Sequence, residues 1–292
     1  MTQFPTVRRT HRGERETGWM QGIAPWPDDA RCVVCVGIDF DGPSHDVGQG
    51  YIPYGSHSTG RYSARRGVPR YLDLLDRLGV PATFFVPGYD AECYPQTMRD
   101  IVGAGHEIGA HGYLHERTLF PPEEETRRLR LTHDILADLT GVAPVGWRSP
   151  SGQKTYTTLN VLRDLGYRYD ASDKDFDMPY LLSFEDGGSM IELPNNTCSL
   201  DDFPFYHFSM TPVSEVLELW KREFDVIYGE RGFYFLSIHP RSGWGSGTPT
   251  RALAVEKLLR YAMSFRDVSV LSLAQLADWV DSQRSHFEEL SV

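Results

Sequence analysis

Long apolar runs are absent from this chain of 292 residues. No stretch approaches the roughly 20 consecutive apolar residues of a membrane-spanning helix, so no membrane role is expected. Cysteine is scarce. The four present, Cys32, Cys35, Cys93 and Cys198, make no disulfide framework, which fits a reducing compartment. Basic residues are the minority, 29 Lys and Arg against 40 Asp and Glu, and the formal charge of -11 argues against a nucleic-acid partner. No linker rich in Pro, Gly and Ser divides the chain, and no internal repeat is visible. Met1 to Trp19 is polar and basic and lacks the apolar core of a secretory leader, so the expected location is cytoplasmic.

What is present is an alternation of short apolar strands and amphipathic helices. Strands are expected at Cys32–Phe40, Pro81–Val86, His106–Ala110, near Val145–Trp147, at Tyr167–Asp170, Met190–Pro194, Phe233–Ile238 and Val268–Leu271. Helices are expected between them, at Val68–Leu78, Pro95–Ala104, Pro122–Thr140, Thr157–Leu165, Val213–Tyr228, Arg251–Phe265 and Leu273–Trp279. This predicts an α/β fold in one domain, a barrel-like structure over residues 32–280. An N-terminal arm (1–31) precedes it and an uninformative tail (281–292) follows. In the first strand, Cys32 and Cys35 are an odd number of residues apart, so they face opposite sides and share neither a disulfide nor a metal.

Side chains that carry chemistry fall at the expected strand ends, where α/β folds place their active sites. Asp39 and Asp41 close the first strand and share a face if it continues; alone they read equally as an Asx turn. His111 and His115, four apart among glycines, are able to meet on one metal ion, although the spacing alone is weak. Two histidines do not complete a hydrolytic zinc site, which takes three protein ligands and leaves a position for water. Arg148 sits in an apolar turn and needs an acceptor if buried. The strand Phe233–Ile238 delivers His239. Two long loops, Pro43–Arg66 and Asn195–His207, are placed to roof a pocket, with Tyr51, Tyr54, Phe203, Phe205 and Tyr206 as candidate walls for a flat ring or as a subunit interface.

Taken together and in this order, Asp39-Phe40-Asp41, His111/His115, Arg148-Ser149-Pro150 and Leu236-Ser237-Ile238-His239-Pro240 resemble the polysaccharide deacetylase family (carbohydrate esterase family 4). The resemblance runs from about Arg31 to Leu276. It implies a distorted (β/α) barrel of about seven strands and a divalent metal, zinc before others. It implies Asp41, His111 and His115 as metal ligands, Asp39 as catalytic base, Arg148 as the group that holds and tunes Asp39, and His239 as general acid. Asp170 lies near a further family motif without a firm role.

The departures are specific. A residue separates the usual paired aspartates, and Ser151 stands where the family's Arg-x-Pro-Tyr has its aromatic. The run around His106–His115, Asp177–Tyr180 and Leu200-Asp201-Asp202 resembles a subgroup with intracellular peptidoglycan-deacetylase-like proteins and cyclic imide hydrolases, and distantly the metal-free allantoinases. Retention of both histidines and Asp41 argues against the metal-free branch. The implied activity is hydrolysis of a non-peptide C–N bond, removing N-acetyl groups from amino sugars. The alternatives are ring opening of small cyclic imides and a non-catalytic carbohydrate-binding barrel. The expected partners are a small-molecule or amino-sugar substrate and, from the apolar loops, a second copy of the chain.

Overall fold

The structure, a computed structural model, describes residues 7–8, 26–117, 119–196 and 198–292. Its strands, in chain order, are β1 (Val7–Arg8), β2 (Cys32–Asp39), β3 (Thr83–Val86), β4 (Glu107–Ala110), β5 (Gly146–Trp147), β6 (Tyr169–Asp170), β7 (Tyr180–Ser183), β8 (Ser189–Glu192), β9 (Phe233–Ile238), β10 (Val268–Leu271) and β11 (Glu288–Ser291). Strands β8, β6, β5, β4, β3, β2 and β9 are neighbours in that order and all run parallel. These are the strands of the expected distorted barrel. The ladder does not close. Instead the segment after β8 lies along the free edge of β9, where Ser237 N–H donates to the Leu200 carbonyl (2.8 Å) and Asn195 Nδ2 to the Phe235 carbonyl (2.9 Å).

Strand β2 is buried on both faces, as the central strand of a parallel sheet must be. Val33 and Cys35 belong to an inner core with Phe85, Tyr169, Phe233 and Phe235. Cys32, Val34, Val36 and Ile38 belong to an outer core shared with the surrounding helices. The two cysteines therefore face opposite sides and are free thiols. The helices Val68–Leu78, Pro122–Thr140, Val213–Glu230 and Pro249–Ala262 cover the outside, contributing buried Leu74, Leu136, Trp220 and Leu258 among others.

One end of the barrel is plugged. The helix Leu273–Ser282 puts Leu273, Leu276, Ala277 and Val280 into the inner core, and Trp26 joins them. The first N–H groups of that helix donate to the starts of β3 and β4: Leu273 to Thr83 Oγ1 (3.0 Å) and Ala274 to Glu107 Oε2 (2.9 Å). A carboxylate at a helix N-terminus is favoured by its unpaired N–H groups and dipole. The plug occupies the end where the strands begin, which leaves the end where they finish for the site.

Three expectations need correction. The stretch Pro43–Arg66 is not a structureless loop; it holds a short helix at Ser44–Val47 and 3₁₀ and π turns at Gly55–Gly60 and Ser63–Gly67. The tail is not featureless either, because β11 pairs parallel to β7 and antiparallel to β1. A four-residue strand is too short to announce itself by periodicity. The strand β7, which follows the acidic segment, was likewise illegible; it pairs antiparallel with β8, which overlaps the strand expected at Met190–Pro194. Most of the expected N-terminal arm lies outside the described residues. Trp26 of that arm does pack on the body and donates its indole N–H to the Arg231 carbonyl (2.8 Å).

Candidate metal centre and active site

Asp39 ends β2, and Asp41 follows in a left-handed conformation (φ +37°). Such a backbone is costly for a residue other than glycine and persists where surrounding contacts impose it. Those contacts are present. Asp90 accepts from Gly42 N–H (2.8 Å), Ser44 N–H (2.9 Å) and Ser44 Oγ (2.5 Å). Arg241, fully buried, donates to the Asp41 carbonyl (3.2 Å) and to Asp46 (3.0 Å). Neither Asp90 nor Arg241 stood out in the sequence, since their partners are remote along the chain.

His111 follows β4, and His115 also has a positive φ of +52°. Both direct Nε2 at Asp41: His111 is 3.4 Å from Oδ1 and His115 is 3.2 Å from Oδ2. His111 Nδ1 faces the Arg148 carbonyl at 2.8 Å, which fixes the proton there and leaves Nε2 as the free donor atom. All three side chains are buried, and Asp41 Oδ1 has no hydrogen-bond partner. A buried carboxylate oxygen that faces an imidazole nitrogen without a hydrogen bond is costly without a cation. The donor set, two nitrogens and one carboxylate, suits zinc and related divalent metals. The residues present fit the group.

Asp39 is paired with Arg148, whose Nε donates to Oδ2 at 2.9 Å. Ser237 Oγ donates to the same oxygen (3.2 Å), while Oδ1 has no partner. Arg148 is itself pinned by the Ala171 carbonyl (2.6 Å) and Asn195 Oδ1 (3.2 Å). Burial by itself would raise the Asp39 pKa, but the charge of Arg148, with His111 and His239, holds it below the usual carboxylate value. Burial acts the same way on Asp41 and is outweighed there by His115 and His111, which hold it well below that value.

His239 closes the site from the end of β9, its Nε2 lying 3.7 Å from both Asp39 and Asp41. Its Nδ1 is 2.6 Å from Asp202 Oδ1, and its backbone N–H donates to the other oxygen of the same carboxylate (3.0 Å). Burial would lower this imidazole's pKa, but Asp202, then Asp201 and Asp41, push it up to about 10. The surrounding carboxylates thus favour its protonated form. The turn after it is tight: a Cβ on Gly67 or Gly247 would fall 1.8 Å from the Pro240 carbonyl oxygen. The structure thus brings together all six predicted residues, Asp39, Asp41, His111, His115, Arg148 and His239.

These six line one cavity of about 600 Å³. Of the five aromatics expected as walls, only Phe203 lines it. Tyr51 and Tyr54 are exposed, Phe205 packs against Trp220, and Tyr206 is buried elsewhere in the core. The wall is instead Phe203, Phe208 and Trp244, with Trp244 4.6 Å from the His239 ring. Ser151 lines the cavity as well, without an aromatic ring of its own. Trp244 was overlooked because it lies in a Gly/Ser-rich stretch with no periodic signal. Asp170, left without a role, lies in a different buried cluster with Asp173 and Glu192, closed by the Lys154 ammonium.

Known proteins resemble this chain along the same elements. The polysaccharide deacetylase family model matches residues 53–169. A Mycobacterium smegmatis protein, solved as a candidate polysaccharide deacetylase, is 34% identical over 90% of this chain and 95% of its own, with a TM-score of 0.83. The peptidoglycan deacetylase of Helicobacter pylori is 29% identical, over 84% of this chain and 95% of that protein. An allantoinase superposes with a TM-score of 0.78 at 24% identity, over 89% of this chain and 93% of its own, a likeness of fold alone. The chain belongs to the polysaccharide deacetylase family. Deacetylases of this family are metal-dependent hydrolases of C–N bonds other than peptide bonds, and Asp41, His111 and His115 form the candidate metal site. Among the described residues, no helix is long and apolar enough to cross a membrane.

Proposed function

We propose that this chain removes N-acetyl groups from amino sugars by metal-dependent hydrolysis, with zinc held by Asp41, His111 and His115. The observation that carries the reading is the juxtaposition of two kinds of carboxylate. Asp41 has imidazoles on both oxygens, whereas Asp39 has one oxygen tied to Arg148 and the other unpartnered.

Each residue then has a task its surroundings support. A bound divalent cation polarises the amide carbonyl and lowers the pKa of a water. Asp39, kept ionised by Arg148, accepts the proton of the attacking water at its unpartnered Oδ1. Arg148 positions Asp39 and is saturated by its own acceptors, so it does not compete for substrate. His239 enters the reaction protonated, held by Asp202, and donates its Nε2 proton to the leaving nitrogen. Base and acid thus stand side by side at the ends of the paired strands β2 and β9, with pKa values driven apart, as a hydrolysis that needs both requires.

A second reading is favoured by the roof. Phe203, Phe208 and Trp244 bound the cavity, which suits a small flat ring better than a long polymer. The alternative substrate is therefore a cyclic imide, opened by the same residues. The deciding experiment compares zinc-loaded and chelated protein on N-acetylglucosamine oligomers and on succinimide and dihydrouracil. Zinc-dependent acetate release is expected. Zinc-dependent ring opening without acetate would replace the first reading by the second, and turnover unaffected by chelation would overturn both.

A further inference from the structure

The cavity has an acidic floor and a basic rim. Asp39, Asp41 and Asp201 line its depth. Arg117 and Lys174 line it as well, and both are exposed. Arg148, which also lines the cavity, is consumed by Asp39, Ala171, Asn195 and Ser237. Among the described residues, no carboxylate pairs with Arg117 or Lys174. Arg117 Nη2 donates to His45 Nε2 (2.5 Å), and Lys174 Nζ donates to the Ser172 carbonyl (2.8 Å).

One turn ties these two cations to the same stretch of rim. Ser151 Oγ donates to the carbonyl of Glu116, the residue before Arg117 (2.9 Å). The next residue, Gly152, has the Lys174 ammonium against it: a Cβ there would fall 2.8 Å from Nζ. The Pro150–Gly152 turn therefore carries Arg117 on one flank and Lys174 on the other. In a chain of net charge -11, two cations without carboxylate partners at the mouth of the catalytic cavity are a local reversal of sign. Such a reversal attracts and orients an anion, and each charge-assisted contact outweighs a neutral one.

We infer that the substrate of this site carries a carboxylate away from the amide that is cleaved, and that Lys174 and Arg117 hold it at the Pro150–Gly152 rim. This rests on the hydrolase reading of the same cavity and narrows it to anionic amides. The chemistry is shared by an amino sugar bearing a carboxylate and a cyclic amide bearing one. The aromatic wall receives the apolar face while the rim takes the charge.

The test uses two matched pairs that differ by a carboxylate: N-acetylmuramate against N-acetylglucosamine, and dihydroorotate against dihydrouracil. Dissociation constants are measured by calorimetry on the zinc-loaded full chain carrying Asp39→Asn, which suppresses turnover. In at least one pair the anionic member should bind roughly tenfold tighter, a gap that shrinks with added salt. Lys174→Met should shrink the gap, Lys174→Met with Arg117→Gln should remove it, and Lys174→Glu should reverse it. Which pair responds tells the sugar from the ring. Equal or undetectable binding of both members in both pairs would overturn the inference. So would a gap that survives in the double variant, since the carboxylate would then be bound by the metal. Acetate release and ring opening by the unmodified zinc-loaded protein are measured alongside. Anion preference without either reaction would sink the proposed activity and leave the rim site standing.

Discussion

Two clusters of metal-ligand-type side chains lie at the ends of the parallel strands, one after β2 and β4 and the other at β6 and β8, and they are completed in opposite ways. Asp170, Asp173 and Glu192 surround the Lys154 ammonium, which contacts all three. The same carboxylates fix the following backbone, Glu192 accepting from the N–H groups of Ser172 (3.0 Å) and Asp173 (2.9 Å). Asp41 has only imidazoles beside it and keeps one oxygen without a hydrogen bond. Both groups are dense enough in oxygen or nitrogen ligands to hold a cation. One already contains its cation as part of the chain. The other is open on the cavity side and sits on two residues with positive φ, Asp41 and His115. The difference separates a structural knot from a site that is built to take something from solution. Ligand residue types alone do not make that distinction; the state of their last lone pair does.

The comparison can be broken most forcefully at the open cluster. His111→Ala should lose bound metal and turnover together, measured as metal content by mass spectrometry beside acetate release. Asp39→Asn should keep the metal and lose roughly 10²–10⁴-fold in kcat, because only the proton acceptor is removed. Full activity of that variant would refute the assignment of the base.

At the closed cluster the effect should fall on stability instead. Lys154→Met leaves two buried carboxylates and a partly buried one without their cation and should cost about 3 kcal/mol, read by denaturant unfolding, with metal content unchanged. A smaller effect is expected on the acid limb of stability in metal-free protein. Asp39 and Asp41 are held below their ordinary carboxylate value, so their contribution is complete above about pH 4 and is lost as pH falls through their lowered folded values. Asp41→Asn should flatten that limb, and an unchanged pH dependence would contradict the pairing. The smallest effect should come from Tyr54→Ala. Its side chain is exposed outside the cavity, and kcat/KM should stay within about twofold.

The legible part of this protein was the part written in local pattern. The strand Phe233–Ile238 and the helix Pro122–Thr140 were readable to the residue from apolar runs and periodicity. The six site residues were readable because each lies at a strand end inside a short motif. The parts that pair over distance were not. Asp202 reaches His239 from a loop, Arg241 reaches back to Asp41, and Trp244 packs against the His239 ring. Tyr51 and Tyr54 misled for the converse reason: an aromatic in a functional loop need not face the function. Lys154 carried no signal, since a lysine in a polar stretch reads as solvated until the fold surrounds it with carboxylates.

The most direct measurement is a calorimetric zinc titration of the chelated full-length protein and of its His111→Ala and Lys154→Met variants. The account predicts one equivalent bound by the unmodified chain, abolished by His111→Ala and retained by Lys154→Met. An equivalent that survives loss of His111, or one that disappears with Lys154, would place the metal in the wrong cluster and contradict the account.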